Sequence, residues 1–321
     1  MEKSKTKHVA PAITALAYTL LVPFLFACSS QRAAIKQEVA VDPTHKVVVI
    51  VLDGARYSET FGDSTRQHIP YLSALASQGT LFTSFYNDGL TQTMAGHSTL
   101  LTGHYDVVDN GGYDSLQRPG IMQLYQRQTG APATATVMLA TKGKLRSFAG
   151  CGSEVQVEEH ALALCGESID HDVMLVQKTE SILSTHAPSV SYISFSQPDY
   201  AGHDGIWEGY IDALKLSDSL AVALYHRLRR QPAYQDALFV FTNDHGRHLG
   251  ERWADHGDDC AGCRHIMLLA IGGGMPADVI VQERFSMAQL MPTLSKYLGL
   301  SLAVGYQPLI THFPSATLPS Q

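Results

Sequence analysis

Lys46 is followed by six consecutive apolar residues, VVVIVL, and the run ends at Asp53-Gly54. Successive side chains of a strand point to opposite faces, so an unbroken apolar, β-branched run has no side fit for water. Such a strand is buried on both faces, which demands a parallel sheet with helices on either side. The same grammar recurs. Apolar runs lie at 135–140, 190–195, 237–242 and 266–271, separated by helical patterns at 69–77, 122–128, 173–185, 211–230 and 287–298. The alternation predicts an α/β fold, an α/β/α sandwich with a mostly parallel central sheet. In sheets of this kind ligands gather outside the carboxyl ends of the strands. The polar residues that close each run are therefore where chemistry is to be sought. No internal repeat interrupts the pattern, so residues 46–321 read as one domain. Within it, 151–170 looks like an irregular insertion able to rim a site, and 310–321 like a loose tail.

The N-terminus follows a different logic. Lys3, Lys5 and Lys7 give a basic start, an apolar stretch spans 9–27, and it closes on LFAC at Cys28. Charged start, apolar middle and small residue before a break describe a secretion signal. The last four residues resemble the lipobox of bacterial lipoproteins. That resemblance implies a signal peptide over 1–27, lipidation of Cys28, and a polar membrane tether over 28–45. A plain membrane anchor and cleavage without lipid are the competing readings, and Pro11 and Pro23 argue against a long spanning helix. The expected location is the bacterial cell envelope, lipid-anchored and facing the periplasm. Four cysteines lie beyond Cys28: Cys151, Cys165, Cys260 and Cys263. An even number in an exported chain suggests disulfides, in one of three connectivities. Cys151–Cys165 and Cys260–Cys263 is the expected pairing. The rival for Cys260 and Cys263 is half a zinc knuckle, disfavoured because no second CxxC completes it. Composition excludes other classes. With 45% hydrophobic and 17% charged residues the chain is neither disordered nor fibrous. A formal charge of −7 without a basic block argues against a nucleic-acid partner.

Four strand ends carry metal-ligand chemistry. The first delivers Asp53. The run at 190–195 leads into QPDYAGH, with Asp199 and His203, and the run at 237–242 leads into NDHG, with Asp244 and His245. ADHG, with His256, comes shortly after. Carboxylate and imidazole together suit zinc and similar divalent ions. Taken singly, each has a plain alternative: Asp53 as a turn or helix cap, Asp199 and His203 as a surface loop. The segment TQTMAGHSTLLTG adds a hydroxyl. Thr93 falls at the N-terminus of a predicted helix, where the macrodipole and free N–H groups favour an anion. A hydroxyl is a weak nucleophile unless a base or metal lowers its pKa. On the residues alone Thr91 competes with Thr93 as nucleophile, and Thr93 can instead be a capping residue.

VLDG, TMAGHSTLLTG, QPDYAGH, TNDHG and the later DHG, in this order, resemble the metal-site motifs of the alkaline phosphatase superfamily. They are most similar to its nucleotide pyrophosphatase/phosphodiesterase branch. The resemblance implies an alkaline-phosphatase-like fold and two divalent metal ions, zinc by donor type, with manganese also fitting. It implies that Asp199, His203 and His256 hold one ion, and Asp53, Asp244 and His245 the other, together with Thr93 as nucleophile. Thr93 is preferred to Thr91 because its spacing to Thr102-Gly103 matches the family pattern. The chemistry implied is hydrolysis of phosphate diesters or monoesters through a phosphothreonine intermediate. Two ions roughly 3.5–4 Å apart suit an in-line displacement at phosphorus. Asn110 falls near an asparagine that binds a non-bridging oxygen in the phosphodiesterase branch, at a shorter spacing. The segment TKGKLR resembles the lysine-bearing segment of phosphonoacetate hydrolases, which implies that Lys142 and Lys144 bind a second anionic group of a small phosphate-ester substrate. Their plain alternatives are a turn asparagine and a solvated basic loop.

His97, His248 and His265 have no matching ligand position and are expected in supporting or surface roles. Arg247 and Arg252 face substrate or solvent, with no basis for choice. A phosphonate hydrolase or a phospho-group transferase of the same superfamily is the alternative reading. A sulfatase is disfavoured because threonine stands where those enzymes need a cysteine or serine for formylglycine. A lipid-anchored binding module with a dead site is opposed by ligand types intact at every motif position.

Overall fold

The computed structural model describes residues 42–309 except 43, 150–161, 165–171, 304 and 306. The signal segment, Cys28, most of the 28–45 tether, Cys151, Cys165 and the tail 310–321 lie outside the described residues. Among the described residues no helix is long and apolar enough to cross a membrane.

The strands are β1 (Val47–Leu52), β2 (Thr80–Tyr86), β3 (Thr136–Ala140), β4 (Leu162–Leu164), β5 (Val190–Phe195), β6 (Leu238–Thr242), β7 (His265–Ile271), β8 (Val279–Val281) and β9 (Phe285–Ser286). They form one sheet in the order β4-β3-β5-β1-β6-β7-β2-β8, with β9 also alongside β2. Only β7 runs antiparallel to its neighbours β6 and β2. The mostly parallel sheet expected from the apolar runs is thus observed. β2 falls outside the expected runs because Thr83 and Ser84 break its apolar pattern. The expected irregular insertion contains a short strand, β4, paired parallel with β3.

Period-two alternation splits β1 between two cores. Val47, Val49 and Val51 face one side, with Met94, Leu100 and Leu101 of α2 (Thr93–Thr102), residues of α3 (Ile121–Thr129) and residues of α8 (Leu290–Tyr297). Val48, Ile50 and Leu52 face the other, with α1 (Pro70–Leu75), α4 (Asp172–His186) and α6 (Trp207–Arg229). The short α5 (Gln197–His203) follows β5, and α7 (Ala261–Arg264) precedes β7. Each fully buried aliphatic of this kind contributes about 1.5–3 kcal/mol, so both layers hold the sheet rigidly.

Register then decides where the motifs meet. β1 pairs with β5 from Val47↔Val190 to Leu52↔Phe195, and with β6 through Val51↔Thr242. β3 ends level with β5 at Ala140↔Ser194. The first polar residues beyond β1, β3, β5 and β6 therefore emerge side by side on one edge.

Candidate active site

Asp53 leaves β1 with its N–H bonded to the Phe195 carbonyl at 2.9 Å. The next N–H, of Gly54, donates to Asp244 Oδ1 at 3.2 Å. Gly54 takes a φ of +73°, and a Cβ there would stand 2.7 Å from Asp199 Oδ1. Only glycine allows the turn to press against both carboxylates. Asn243 fixes the β6 exit by donating to the carbonyls of Ala55 and His245, both at 2.8 Å, and by accepting from Met267 N–H. Asp172 does the same for β5, accepting from the N–H groups of Ser196 and Gln197 and from the Thr141 hydroxyl.

These turns bring the ligand-type side chains together. Asp53, His97 and Asp244 each offer an atom within 4.8 Å of the others, as do Asp199, His245 and His256. His245 Nε2 lies 3.6 Å from Asp53 Oδ1 and 3.3 Å from Asp244 Oδ2, between the two groups. Its ring stacks on His256 with centroids 3.8 Å apart. His203 stands at the mouth, its Nε2 3.5 Å from Asp199 Oδ1 and 3.0 Å from His256 Nε2. Thr93 opens α2 beneath them and is buried. All seven motif positions converge.

Asp53 Oδ1, Asp244 Oδ2 and the Nε2 atoms of His97 and His245 are buried without a hydrogen-bond partner among the described residues. Buried polar atoms are ordinarily paired. Four unpaired oxygen and nitrogen atoms aimed at one another fit divalent cations of zinc or manganese type. Burial lowers His245 to about 4 and, with His245 beside it, His256 to about 3. Both rings are neutral near pH 7, the form that ligates.

Lys142 emerges from β3 into the middle of this group. Its Nζ is 2.7 Å from both Asp53 Oδ2 and Asp199 Oδ2 and donates to Thr93 Oγ1 at 3.1 Å. Burial alone would lower its pKa, but Asp53, Asp199 and Asp244 outweigh that and raise it. Asp53 shows the complement: burial pushes it up, and Lys142 together with His97 and His245 more than reverses the shift. Asp244, buried beside Asp53, is pushed up to about 7. Lys142 is therefore no solvated loop lysine. It turns inward to carboxylates and to Thr93, rather than outward to a second anionic group. Lys144 does face the cleft, where its Nζ donates to Asn110 Oδ1 at 3.2 Å. Asn110 Oδ1 also accepts from Met94 N–H, at the start of α2. Thr93, Asn110, Lys142, Lys144, Asp199 and His203 line part of a cavity of about 340 Å³.

Three further residues belong to the site although sequence reasoning left them aside or undecided. His97 is buried, 3.6 Å from Asp53 Oδ2 and 3.5 Å from Asp244 Oδ2, with Nδ1 2.6 Å from the Tyr192 hydroxyl. Its i,i+4 spacing from Thr93 places both on one helix face, a signal that was legible. Arg247 faces neither substrate nor solvent. It is fully buried, with Nη2 2.5 Å from Asp199 Oδ1 and Nη1 donating to the Ala254 carbonyl. Asp172 carried no signal. Thr91 is committed elsewhere: its carbonyl faces His256 Nδ1 at 2.8 Å, and its hydroxyl bonds to Asp258 O and Gly257 N. The Cys260–Cys263 disulfide is not formed; both are free thiols. Cys260 caps α7 instead, its Sγ accepting from Cys263 N–H at 3.0 Å. His265 stacks between Tyr57 and Tyr86.

The model of type I phosphodiesterases and nucleotide pyrophosphatases matches residues 47–261, more than half of the chain. The chain belongs to that family. No curated protein matches its sequence significantly. Solved structures do match in fold. A phosphonate monoester hydrolase of Agrobacterium radiobacter is 17% identical, with TM-score 0.56 over 80% of this chain and 74% of the other. A protein of the alkaline phosphatase superfamily from Vibrio parahaemolyticus is 15% identical, with TM-score 0.62 over 82% and 68%. Murine ectonucleotide pyrophosphatase/phosphodiesterase 5, as an inactive variant in complex with AMP, is 14% identical, with TM-score 0.61 over 82% and 97%. This type I phosphodiesterase-family chain thus has the alkaline-phosphatase-like fold and is a phosphoester hydrolase.

Proposed function

We propose that the protein hydrolyses phosphate diesters through a phosphothreonine intermediate on Thr93. The observation that carries this reading is Thr93 Oγ1 at the head of α2, 3.1 Å from the same Lys142 Nζ that pairs with Asp53 and Asp199. Lys142 donates to that oxygen and favours its deprotonated form by its charge. The Thr93 proton passes to water, the alkoxide attacks phosphorus in line, the P–O bond opposite it breaks and the departing alcohol takes up a proton from water, while the phosphoryl oxygens lie against the N–H groups of α2 and the Asn110–Lys144 pair. Hydrolysis of the phosphothreonine then returns the hydroxyl. Asp199, His203 and His256 would hold one divalent cation and Asp53, Asp244 and His245 the other, zinc or manganese. Such a pair would supply the positive charge that an in-line displacement at phosphorus needs. Lys142 keeps the Asp199 carboxylate ionised, and Arg247 aims it by donating to Asp199 Oδ1 and to the Asp199 backbone carbonyl.

A diester carries one charge at neutral pH. The cleft beyond Thr93 offers one lysine and one amide, enough for a single non-bridging oxygen. A nucleotide diester is within this class, as the AMP bound to the murine neighbour suggests. We further propose that residues 46–321 form the catalytic domain and that Cys28 ties it by lipid to the periplasmic side of a bacterial membrane. The charged-apolar-LFAC order of the N-terminus supports this. Turnover of bis-p-nitrophenyl phosphate, p-nitrophenyl phosphate and a phosphonate ester tests the substrate class, with Thr93→Ala and a chelator as controls. Diester turnover abolished by both is expected. Undiminished turnover in Thr93→Ala overturns the mechanism.

A further inference from the structure

Outside the catalytic group, the loop between β6 and β7 gathers a second kind of donor set. His248, Asp258, Cys260 and Cys263 each offer one atom, all within 4.8 Å of one another. His248 Nε2 is 3.4 Å from Asp258 Oδ2, and Cys263 Sγ is 3.7 Å from Asp258 Oδ1. Cys263 N–H donates to Cys260 Sγ, a bond worth more to a thiolate than to a thiol. His248 and Cys263 are buried, while Asp258 is exposed, so the group has an open side for entry. The two halves of the loop are pressed together by glycines. A Cβ on Gly246 would stand 2.0 Å from the Gly262 carbonyl, and one on Gly262 would stand 2.4 Å from the Arg247 carbonyl.

We propose that these four residues form a zinc site separate from the catalytic pair. Two sulfurs, one imidazole nitrogen and one carboxylate oxygen make the four-coordinate set that zinc favours, and sulfur selects against magnesium, calcium and manganese. No sulfur belongs to the catalytic group, so the two sites differ in chemistry. His248 and Asp258 supply what a lone CxxC lacks. Binding forms two zinc–sulfur bonds, one zinc–nitrogen bond and one zinc–oxygen bond. The two thiol protons pass to solvent, with no change of oxidation state. The exposed guanidinium of Arg252, 3.1 Å from His248 Nε2, swings aside and offsets the charge of the thiolates. The site clamps residues 248–263 at both ends, and His256 lies between them. The inference is structural and stands whether or not the chain turns over diesters.

The test uses the purified full chain. Elemental analysis of the wild type and of Cys260→Ser/Cys263→Ser should differ by one zinc per chain. Loading with cobalt(II) should give the wild type a thiolate-to-metal charge-transfer band that the double variant lacks. Asp258→Asn should retain thiolate ligation and lose zinc more readily to a competing chelator. A wild type loaded with cobalt that shows no such band overturns the proposal, even if the double variant fails to fold. So does a Cys260–Cys263 disulfide in peptides mapped without reduction, or equal zinc content in the two proteins.

Discussion

Replacing Gly96 by alanine asks whether the contact between α2 and the end of β6 sets the spacing of the site. A Cβ at Gly96 would lie 2.6 Å from the Asp244 carbonyl oxygen and 2.9 Å from Asp244 Cβ. Ordinary contact begins at 3.4 Å, so the helix and the strand end must part by up to 0.8 Å, the difference between 3.4 and 2.6. Neither partner is a flexible side-chain tip. Thr93 lies one turn before Gly96 and His97 directly after it, so both move relative to Asp53 and Asp244. A misplacement near 1 Å costs on the order of 100-fold in rate, or about 2.7 kcal/mol of transition-state binding. Stability should change less. Alanine gains about 0.5–1 kcal/mol over glycine within a helix, against about 1–3 kcal/mol for overpacking. The net is a loss of about 1–2 kcal/mol. Gly209→Ala is the matched control, since a Cβ there meets nothing closer than 3.8 Å. Steady-state kcat/KM on bis-p-nitrophenyl phosphate and calorimetric Tm, both in saturating metal, separate the two effects. The reasoning fails if Gly96→Ala keeps kcat/KM within about threefold of wild type, under 0.7 kcal/mol.

Other perturbations read other parts of the site. Thr91→Val removes the hydroxyl that holds the backbone of Gly257 and Asp258, a loss of about 1–3 kcal/mol from the loop carrying His256. The metal concentration for half-maximal activity should rise about tenfold while kcat at saturating metal persists. Abolished turnover at saturating metal would instead make Thr91 the nucleophile. Lys142→Met leaves Asp53 without its cation and Asp199 with Arg247 alone, and the Tm loss should correspond to about 3–5 kcal/mol in chelator and to much less in zinc. Equal losses measured by calorimetry would contradict the shared-charge account. Asp218, which accepts from Tyr71 and Leu72 N–H, is raised by burial from 3.8 to about 6. A raised carboxyl binds its proton more tightly when folded, so it costs up to about 3 kcal/mol at neutral pH, and that cost fades as pH falls through 6 towards 4. Asp218→Asn should flatten stability against pH in that window in urea titrations. An unchanged slope refutes the assignment.

What could be read in advance follows from how each element is specified. β1, β5, β6 and β7 are legible because burial on both faces writes itself as unbroken apolar runs. β2 was not, since its Thr83 and Ser84 are only half-buried and its placement beside β7 depends on long-range pairing. β8 and β9 are too short to carry a period. The ligand-type residues were legible because chemistry sits at the ends of readable strands. Arg247 and Asp172 were not, because their partners are backbone groups and carboxylates brought in by register and by a helix start. Cys260 and Cys263 show the opposite case. Export argued for a disulfide, whereas the fold places His248 and Asp258 beside the two thiols, a juxtaposition made by a loop doubling back on itself.

The buried charges suggest why the ligand set needs cations to complete it. Asp53, Asp199 and Asp244 are countered by Lys142 and Arg247, all of them buried, and His245 and His256 are neutral near pH 7. Full ionisation leaves one excess negative charge where water cannot solvate it. The chain alone answers by keeping a proton on Asp244, whose carboxyl burial and Asp53 together push up to about 7. Added cations remove the need for that proton. Metal loading should therefore release a proton from Asp244, close to one per chain at pH 6 and none at pH 9, because a group raised to about 7 is protonated below that value and ionised above it. His245 and His256 contribute nothing, being already neutral. Titration calorimetry in two buffers of different ionisation enthalpy measures this release. The Cys260→Ser/Cys263→Ser background keeps thiol protons out of the count. Release that does not fall between pH 6 and pH 9 would show that Asp244 is ionised before metal arrives, and that the excess charge is balanced by some other group.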